Sequence, residues 1–289
     1  MKDKALATLI RAQKDEITEY HIYTRLAAKV KDKKNAEILK SIGNDELRHY
    51  EVWKRHTGKE VKPNMFKVRW YIFISRFLGI TFGIKMMERG EEQAQVNYNT
   101  LHPEIPDATK IQHDEENHEN ELIEMIDEDR LQYIGSIVRG LNDALVELTG
   151  ALAGFTLALK ETRLIAMAGL ITGIAASMSM AASEYLAIRS EKTKRLSPVK
   201  SAFYTGSAYI LTVFFLIFPY LIFSNIYLSL GIMALNAVIV IFLFNFYNSV
   251  AMDRPFKKQF TEMVAISLGV AVISFLIGFV IRSALGVDV

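Results

Sequence analysis

Beyond residue 131 the chain reads as five apolar stretches, at roughly 136–159, 164–188, 202–223, 228–250 and 261–282. Each comes close to the ~20 residues that an α-helix needs to cross a hydrocarbon core. Helices satisfy their own backbone hydrogen bonds, so such runs read as a transmembrane bundle. The alternative, buried helices of a water-soluble protein, fits the length of these runs poorly. The charges divide at the same point. Residues 1–130 hold 22 Lys/Arg, 24 Asp/Glu and all six histidines, whereas residues 131–289 hold 12 Lys/Arg and 8 Asp/Glu. The expected organisation is all-α, a water-facing domain over 1–130 followed by a five-helix membrane domain over 131–289.

A formal net charge of +2 argues against a nucleic-acid partner, which calls for a basic patch. The absence of cysteine excludes disulfides, thiolate zinc sites, iron–sulfur clusters and a thiol nucleophile. The start, MKDKALATLIRAQKDE, lacks the apolar run of a cleaved signal peptide. Orientation follows from the basic loops. Arg189, Lys192, Lys194, Arg195 and Lys200 follow the second stretch, and Arg254, Lys257 and Lys258 follow the fourth. The other side carries only Lys160, Arg163 and Arg282. The expectation is a multi-pass cell-membrane protein whose basic loops and N-terminal domain are cytoplasmic and whose C-terminus is outside.

Ionisable groups inside a membrane are costly and mark function. In RGLNDALVELTGALAG, Arg139, Asp143 and Glu147 share a helix face at spacings of four. In SMSMAASEYLA, Met178, Met180 and Glu184 lie near the cytoplasmic end of the second stretch. Carboxylates with thioethers suit a borderline divalent cation better than Mg²⁺. Asp143, Glu147, Met180 and Glu184 are therefore candidates for an ion pathway, with Met178 a weaker one. The alternative is a structural ladder in which Arg139 neutralises Asp143, Glu184 reaches the interface and the methionines simply pack.

The first 130 residues carry a duplicated pattern. Glu46 and His49 form a Glu-x-x-His pair in NDELRHYE, and Glu115 and His118 form another in QHDEENHENE. With 21 Glu and six His, chance supplies about 0.4 such pairs. Before each comes a Glu seven residues ahead of a Tyr, Glu16 with Tyr23 and Glu91 with Tyr98. Seven residues make about two helical turns, so each Glu and Tyr share a face. One Glu from each of two helices plus Glu-x-x-His from the other two is the donor set of a di-metal carboxylate centre in a four-helix bundle. The candidate ligands are Glu16, Glu46, His49, Glu91, Glu115 and His118. Glu19 and Glu88, one turn from Glu16 and Glu91, are weaker candidates. Tyr23 and Tyr98 can hydrogen-bond the ligating carboxylates. The helices are expected over 3–30, over 33–57, around Glu88 to Leu101, and from about Glu104 to Asp129.

Two segments stay open. KVRWYIFISRFLGITFGIK, residues 67–85, reads as an interfacial helix on an anionic leaflet, as a dimer contact or as a bundle-core helix. The acidic run Glu116 to Asp129 can concentrate cations or be an ordinary solvated face.

These motifs resemble two known families. The Glu-x6-Tyr and Glu-x-x-His helices of residues 1–130 look like the rubrerythrin-type ferritin-like domain. GLNDALVELTGALAG, SMSMAASEYLA, FPYLIF and the ALGV ending resemble the vacuolar iron transporter family. The combination is similar to the membrane-bound ferritins of prokaryotes. The resemblance implies a dimeric five-helix transporter that moves Fe²⁺, or Mn²⁺, out of the cytoplasm in exchange for protons. It implies two iron ions, or manganese, on Glu16, Glu46, His49, Glu91, Glu115 and His118. Asp143 falls on that transporter family's pore aspartate, Met180 on its pore methionine and Glu184 on its second-span Glu; Glu147 rests on the residues alone. Such transporters often carry a long acidic insertion between spans two and three, where this chain has the short, basic RSEKTKRLSPVK. The competing readings are a membrane-anchored di-iron ferroxidase or peroxidase whose spans are mainly an anchor, and a metal sensor without turnover.

Overall fold

The computed structural model describes residues 2–95, 106–124, 133–191, 196–252 and 254–285, with the side chains of residues 2–5, 88, 90–95, 106, 107, 109, 116, 119–121, 123, 124, 282 and 285 outside that description. Among the described residues there are ten helices and no strand. The chain divides into two compact units, Met1–Glu128 and Asp129–Val289.

The first unit holds α1 (Lys2–Ala27), α2 (Lys33–Thr57), α3 (Met65–Leu78), α4 (Ile80–Gln95) and α5 (Pro106–Glu124). α1 and α2 pack along each other, α3 lies against α1 and α4, and α5 touches α2 and α4. α2 starts where the Asp32 carboxylate accepts from the Asn35 N–H at 2.9 Å, satisfying one of the donors orphaned at a helix start. It stops at Gly58, whose φ of 64° lets its N–H turn back to the Lys54 carbonyl. The chain from there to α3 is stapled onto α1. Gln13 donates to the Lys59 carbonyl at 2.8 Å, and the Asn64 N–H donates to Thr18 Oγ1 at 2.9 Å. Asn64 then caps α3 by accepting from the Phe66 and Lys67 N–H groups.

Two apolar clusters occupy this unit. One joins Leu9 and Ala12 of α1 to Trp53, Ala108 and Ile111. The other joins Ile22, Tyr23 and Leu26 to Leu39, Ile42, Val68, Ile84, Met87 and Leu122. Glu16 and Glu19 fall between them along α1, so the polar candidates sit between two dry layers. Residues 67–85 do not form one helix. Gly79, at φ 104°, separates α3 from α4, a conformation that side chains disfavour. The helix expected from Glu88 to Leu101 is α4 as far as Gln95; Tyr98, Leu101 and the end of the acidic run lie outside the described residues.

The second unit holds α6 (Ile134–Leu159), α7 (Thr162–Ser190), α8 (Pro198–Ile222), α9 (Ile226–Met252) and α10 (Phe256–Leu285). α7 to α10 are each long and apolar enough to cross a membrane. α6 matches them in length, with 26 residues, but carries Arg139, Asp143 and Glu147. It packs against each of the other four, most extensively against α10 and α8, so the charged helix is the hub of the unit. Small residues permit the close approaches. A Cβ on Gly140 would meet the Thr205 carbonyl, and one on Gly278 would lie 2.6 Å from the Gly154 carbonyl oxygen. Buried hydroxyls cross-link the helices, with Thr149 to Ser267 at 3.1 Å and Thr156 to Tyr220 at 2.8 Å. Outside, Ile273, Leu276, Phe279 and Val280 of α10 are more than half exposed, a surface suited to lipid.

Candidate functional site

In the first unit, α1, α2 and α5 bring four of the expected ligands to one point. Glu16, Glu46, His49 and Glu115 each offer an atom within 4.8 Å of the others. His49 Nδ1 lies 3.5 Å from Glu16 Oε2, 3.4 Å from Glu46 Oε2 and 3.2 Å from Glu115 Oε1. His118 adds its own Nδ1, 3.3 Å from Glu46 Oε1 and 3.8 Å from Glu115 Oε2. Glu46 and Glu115 thus each turn one oxygen toward each imidazole. The two rings are 5.9 Å apart between centroids. Glu16, Glu46, His49 and His118 are all buried, and Glu115 is the more open member, at 16% side-chain exposure.

The side chains around this cluster form a matched pair. His49 Nε2 lies 3.3 Å from Asp114 Oδ2, and His118 Nε2 lies 3.1 Å from Asp45 Oδ2. Each aspartate directly precedes the glutamate of one Glu-x-x-His and serves the histidine of the other. These contacts turn both Nδ1 atoms inward. Trp53 donates its indole N–H to Glu16 Oε1 at 2.9 Å, and Arg48 pairs with Asp45. Sequence reasoning missed Asp45, Asp114 and Trp53. The signal was an Asp at the same place in both motifs. Tyr23 is buried within the apolar cluster of Ile22, Leu26, Leu39 and Ile42, and Glu19 is buried as well. The side chains of Glu88 and Glu91, and all of Tyr98, lie outside the described residues.

The electrostatics suit a cation. Burial raises the Glu16 carboxyl well above its ordinary range. Burial would also raise Glu46, but contacts from His118, His49 and Glu16 outweigh it and hold Glu46 down at about 2. Burial opposes a charge on His49, yet Glu115, Glu16 and Glu46 push its pKa up. His118 is pushed up to about 11 by Glu115 and Glu46 against its own burial. Glu16 Oε2, Glu46 Oε2 and both Nδ1 atoms are buried without a hydrogen-bond partner, an unusual concentration of such atoms. Three carboxylates and two imidazoles fit a borderline divalent metal, which these five residues would hold. A bound metal ion of this class would supply Lewis-acid or redox chemistry, or simple storage of the cation.

In the second unit the ionisable groups form two sets. Arg139 of α6 pairs with Glu184 of α7, with Nε 2.9 Å from Oε2 and Nη2 against Oε1. Ser136 donates to the same carboxylate at 2.7 Å. Arg139 therefore neutralises Glu184, in place of the Asp143 partner that the ladder alternative gave it, and Glu184 is buried within the unit. In the other set, Tyr209 of α8 donates to Glu147 Oε2 at 2.9 Å, with Asp143 half-buried one turn away on α6. Met180 packs against the apolar core of the unit, and Met178 is 69% exposed. Ser136 and Tyr209 were not singled out from sequence. Both lie among apolar or small residues that read as ordinary span.

No curated protein sequence matches the chain. Residues 134–195, which hold α6, α7, Asp143, Glu147, Met178, Met180 and Glu184, match the model of the VIT family, a match that suggests metal-ion transport across a membrane.

Proposed function

We propose that the protein carries Fe²⁺, with Mn²⁺ as the alternative cation, out of the cytoplasm in exchange for protons. α6 to α10 are read as five spans, and the first unit as a cytoplasmic ferritin-like domain that captures the metal. The observation that carries this reading is the placing of Asp143 and Glu147 on a helix of spanning length within the VIT-family match, since an anchor has no use for intramembrane acids. The buried Glu/His cluster supports metal capture in the same chain. Asp143 and Glu147 are the groups assigned to cation and proton passage, Met180 and Met178 the thioether contacts, and Glu184 the carboxylate held by Arg139. A homodimer would set two copies of Asp143 face to face across a two-fold axis.

The test is metal flux in proteoliposomes, with Fe²⁺ and Mn²⁺ compared and the pH gradient set independently. Flux that rises with the proton gradient and is lost in Asp143→Ala supports the reading. Absence of flux in the native protein, together with Fe²⁺-dependent oxygen consumption, sinks it in favour of the membrane-anchored oxidase. Flux that survives Glu46→Ala with His49→Ala leaves transport standing and removes the first unit as an obligatory feeder.

A further inference from the structure

Helix α3 presents a face that the metal-capture and transport readings leave unused. On its inner side Val68, Ile74 and Ser75 are buried, facing the neighbours α1 and α4. On its outer side Phe66, Trp70, Phe73 and Phe77 are 77%, 48%, 54% and 60% exposed. At 100° per residue these four rings occupy a stripe only about 60° wide, opposite Val68 and Ser75. The rings support one another, Trp70 stacked on Phe73 at 6.3 Å and Phe73 against Phe77 at 4.6 Å. Arg69 and Arg76 are exposed along one flank, Lys62 is exposed just before the helix, and α3 contains no acidic residue.

We infer that this face is a docking surface for an anionic lipid bilayer. Aromatic side chains beside arginines are the composition of helices that lie in the headgroup layer, where rings enter the acyl boundary and cations meet lipid phosphates. The same chain carries four helices long and apolar enough to cross a membrane, so a bilayer is always at high effective concentration. Charge argues against a second copy as the occupant. Two such faces brought together would oppose Arg69 and Arg76 to each other with no acid on either helix. The Asn64 cap and the break at Gly79 hold α3 as a short separate helix, so its outer face is set by its contacts with α1 and α4.

The chain has two tryptophans, Trp53 fully buried beside Glu16 and Trp70 on this face, and none in α6 to α10. Emission of the full-length protein is therefore measured in nanodiscs whose lipids carry brominated acyl chains, either zwitterionic or with phosphatidylserine added. Trp70→Phe gives the Trp53 background. The expected result is strong quenching of Trp70 in the anionic bilayer, cut about twofold or more in zwitterionic lipid and in Arg69→Glu with Arg76→Glu. Retained metal binding by the variant shows that the unit is folded. Equal quenching in both bilayers overturns the assignment to an anionic surface. Trp70 open to aqueous iodide and untouched by bromine overturns docking altogether. Trp70 shielded from both quenchers assigns the face to a second copy and overturns the lipid proposal.

Discussion

His118 Nε2 lies 3.1 Å from Oδ2 of Asp45, the residue that immediately precedes Glu46 on another helix. His49 and Asp114 repeat the relationship at 3.3 Å with the helices exchanged. An imidazole whose Nε2 proton is held by a carboxylate keeps Nδ1 free and aimed, and its basicity rises.

The aspartates therefore act as positioning residues. Asp45→Asn or Asp114→Asn is expected to weaken divalent metal binding about 10- to 100-fold while leaving the fold intact. Competition with a chelator of known affinity measures this. Asp45 also neutralises Arg48, so Asp114→Asn is the cleaner variant. Unchanged affinity in Asp114→Asn rejects the positioning role.

The gathering of Glu46, His49, Glu115 and His118 is legible in the sequence because Glu-x-x-His keeps each pair on one helix face, while the second Glu-x6-Tyr, Glu91 with Tyr98, lies outside the described side chains. Asp45 and Asp114 are not legible, because a neighbour in sequence points about 100° away from Glu46 or Glu115 and reads as solvated surface. Only the packing of α5 against α2 turns that surface onto the opposite imidazole. The ladder alternative paired Arg139 with Asp143 for a related reason. Its spacing of four from Asp143 offered a local partner, while Glu184, 45 residues on, was brought closer by the packing of α6 on α7. The apolar runs gave away the long helices, since no tertiary knowledge is needed to see 20 apolar residues. The division of residues 67–85 into two helices rests on Gly79, which a helical pattern tolerates on paper.

Metal binding should release protons. With His118 pushed up to about 11 and His49 also raised, both imidazoles are charged at neutral pH in the metal-free protein. A cation that takes Nδ1 must displace a proton from each ring. Affinity is thus expected to climb with pH, by up to about tenfold per unit for each proton displaced. Calorimetric titration in buffers of different ionisation enthalpy counts those protons, and a heat independent of buffer contradicts the assignment.

The metal-free unit should follow the opposite course. His118 rises from 6.5 to about 11 on folding, so its contribution is complete below about 6.5 and is lost as pH climbs toward 11. Glu46 falls from 4.5 to about 2, so its contribution is present above 4.5 and is lost as pH drops toward 2. Stability from the cluster is expected to be greatest between these limits. Hydrogen exchange of α2 amides across pH, corrected for intrinsic rates, reads it out, and added metal should flatten the alkaline arm.

Trp53 donates its indole N–H to Glu16 Oε1 from outside the carboxylate–imidazole cluster, and it is fully buried. Trp53→Phe keeps most of the apolar volume and removes the donor. The expected cost to the metal-free unit is about 1–3 kcal/mol, the desolvation of an acceptor left without its partner. Hydrogen exchange or denaturant titration measures it. If Trp53 acts only by filling space, the loss is confined to a fraction of that.

Arg139 and Glu184 should be coupled. Glu184 is 5% exposed, and its carboxylate is held by Arg139 and Ser136 on the neighbouring helix. Removing the cation alone leaves a buried charge with one hydroxyl for company, a loss on the order of 3–5 kcal/mol for a fully buried pair and less here, because half of the Arg139 side chain is exposed. Arg139→Gln should lower the stability of the detergent-solubilised protein, and adding Glu184→Gln should restore most of it, since two neutral amides can hydrogen-bond where one carboxylate was stranded. Transport separates structure from function in the same set of variants. If Glu184 meets the cation directly, the double variant is stable but slow. If the pair only fastens α6 to α7, the double variant is stable and transports normally. Strictly additive effects of the two substitutions on stability would show that the bond between these helices contributes nothing of its own.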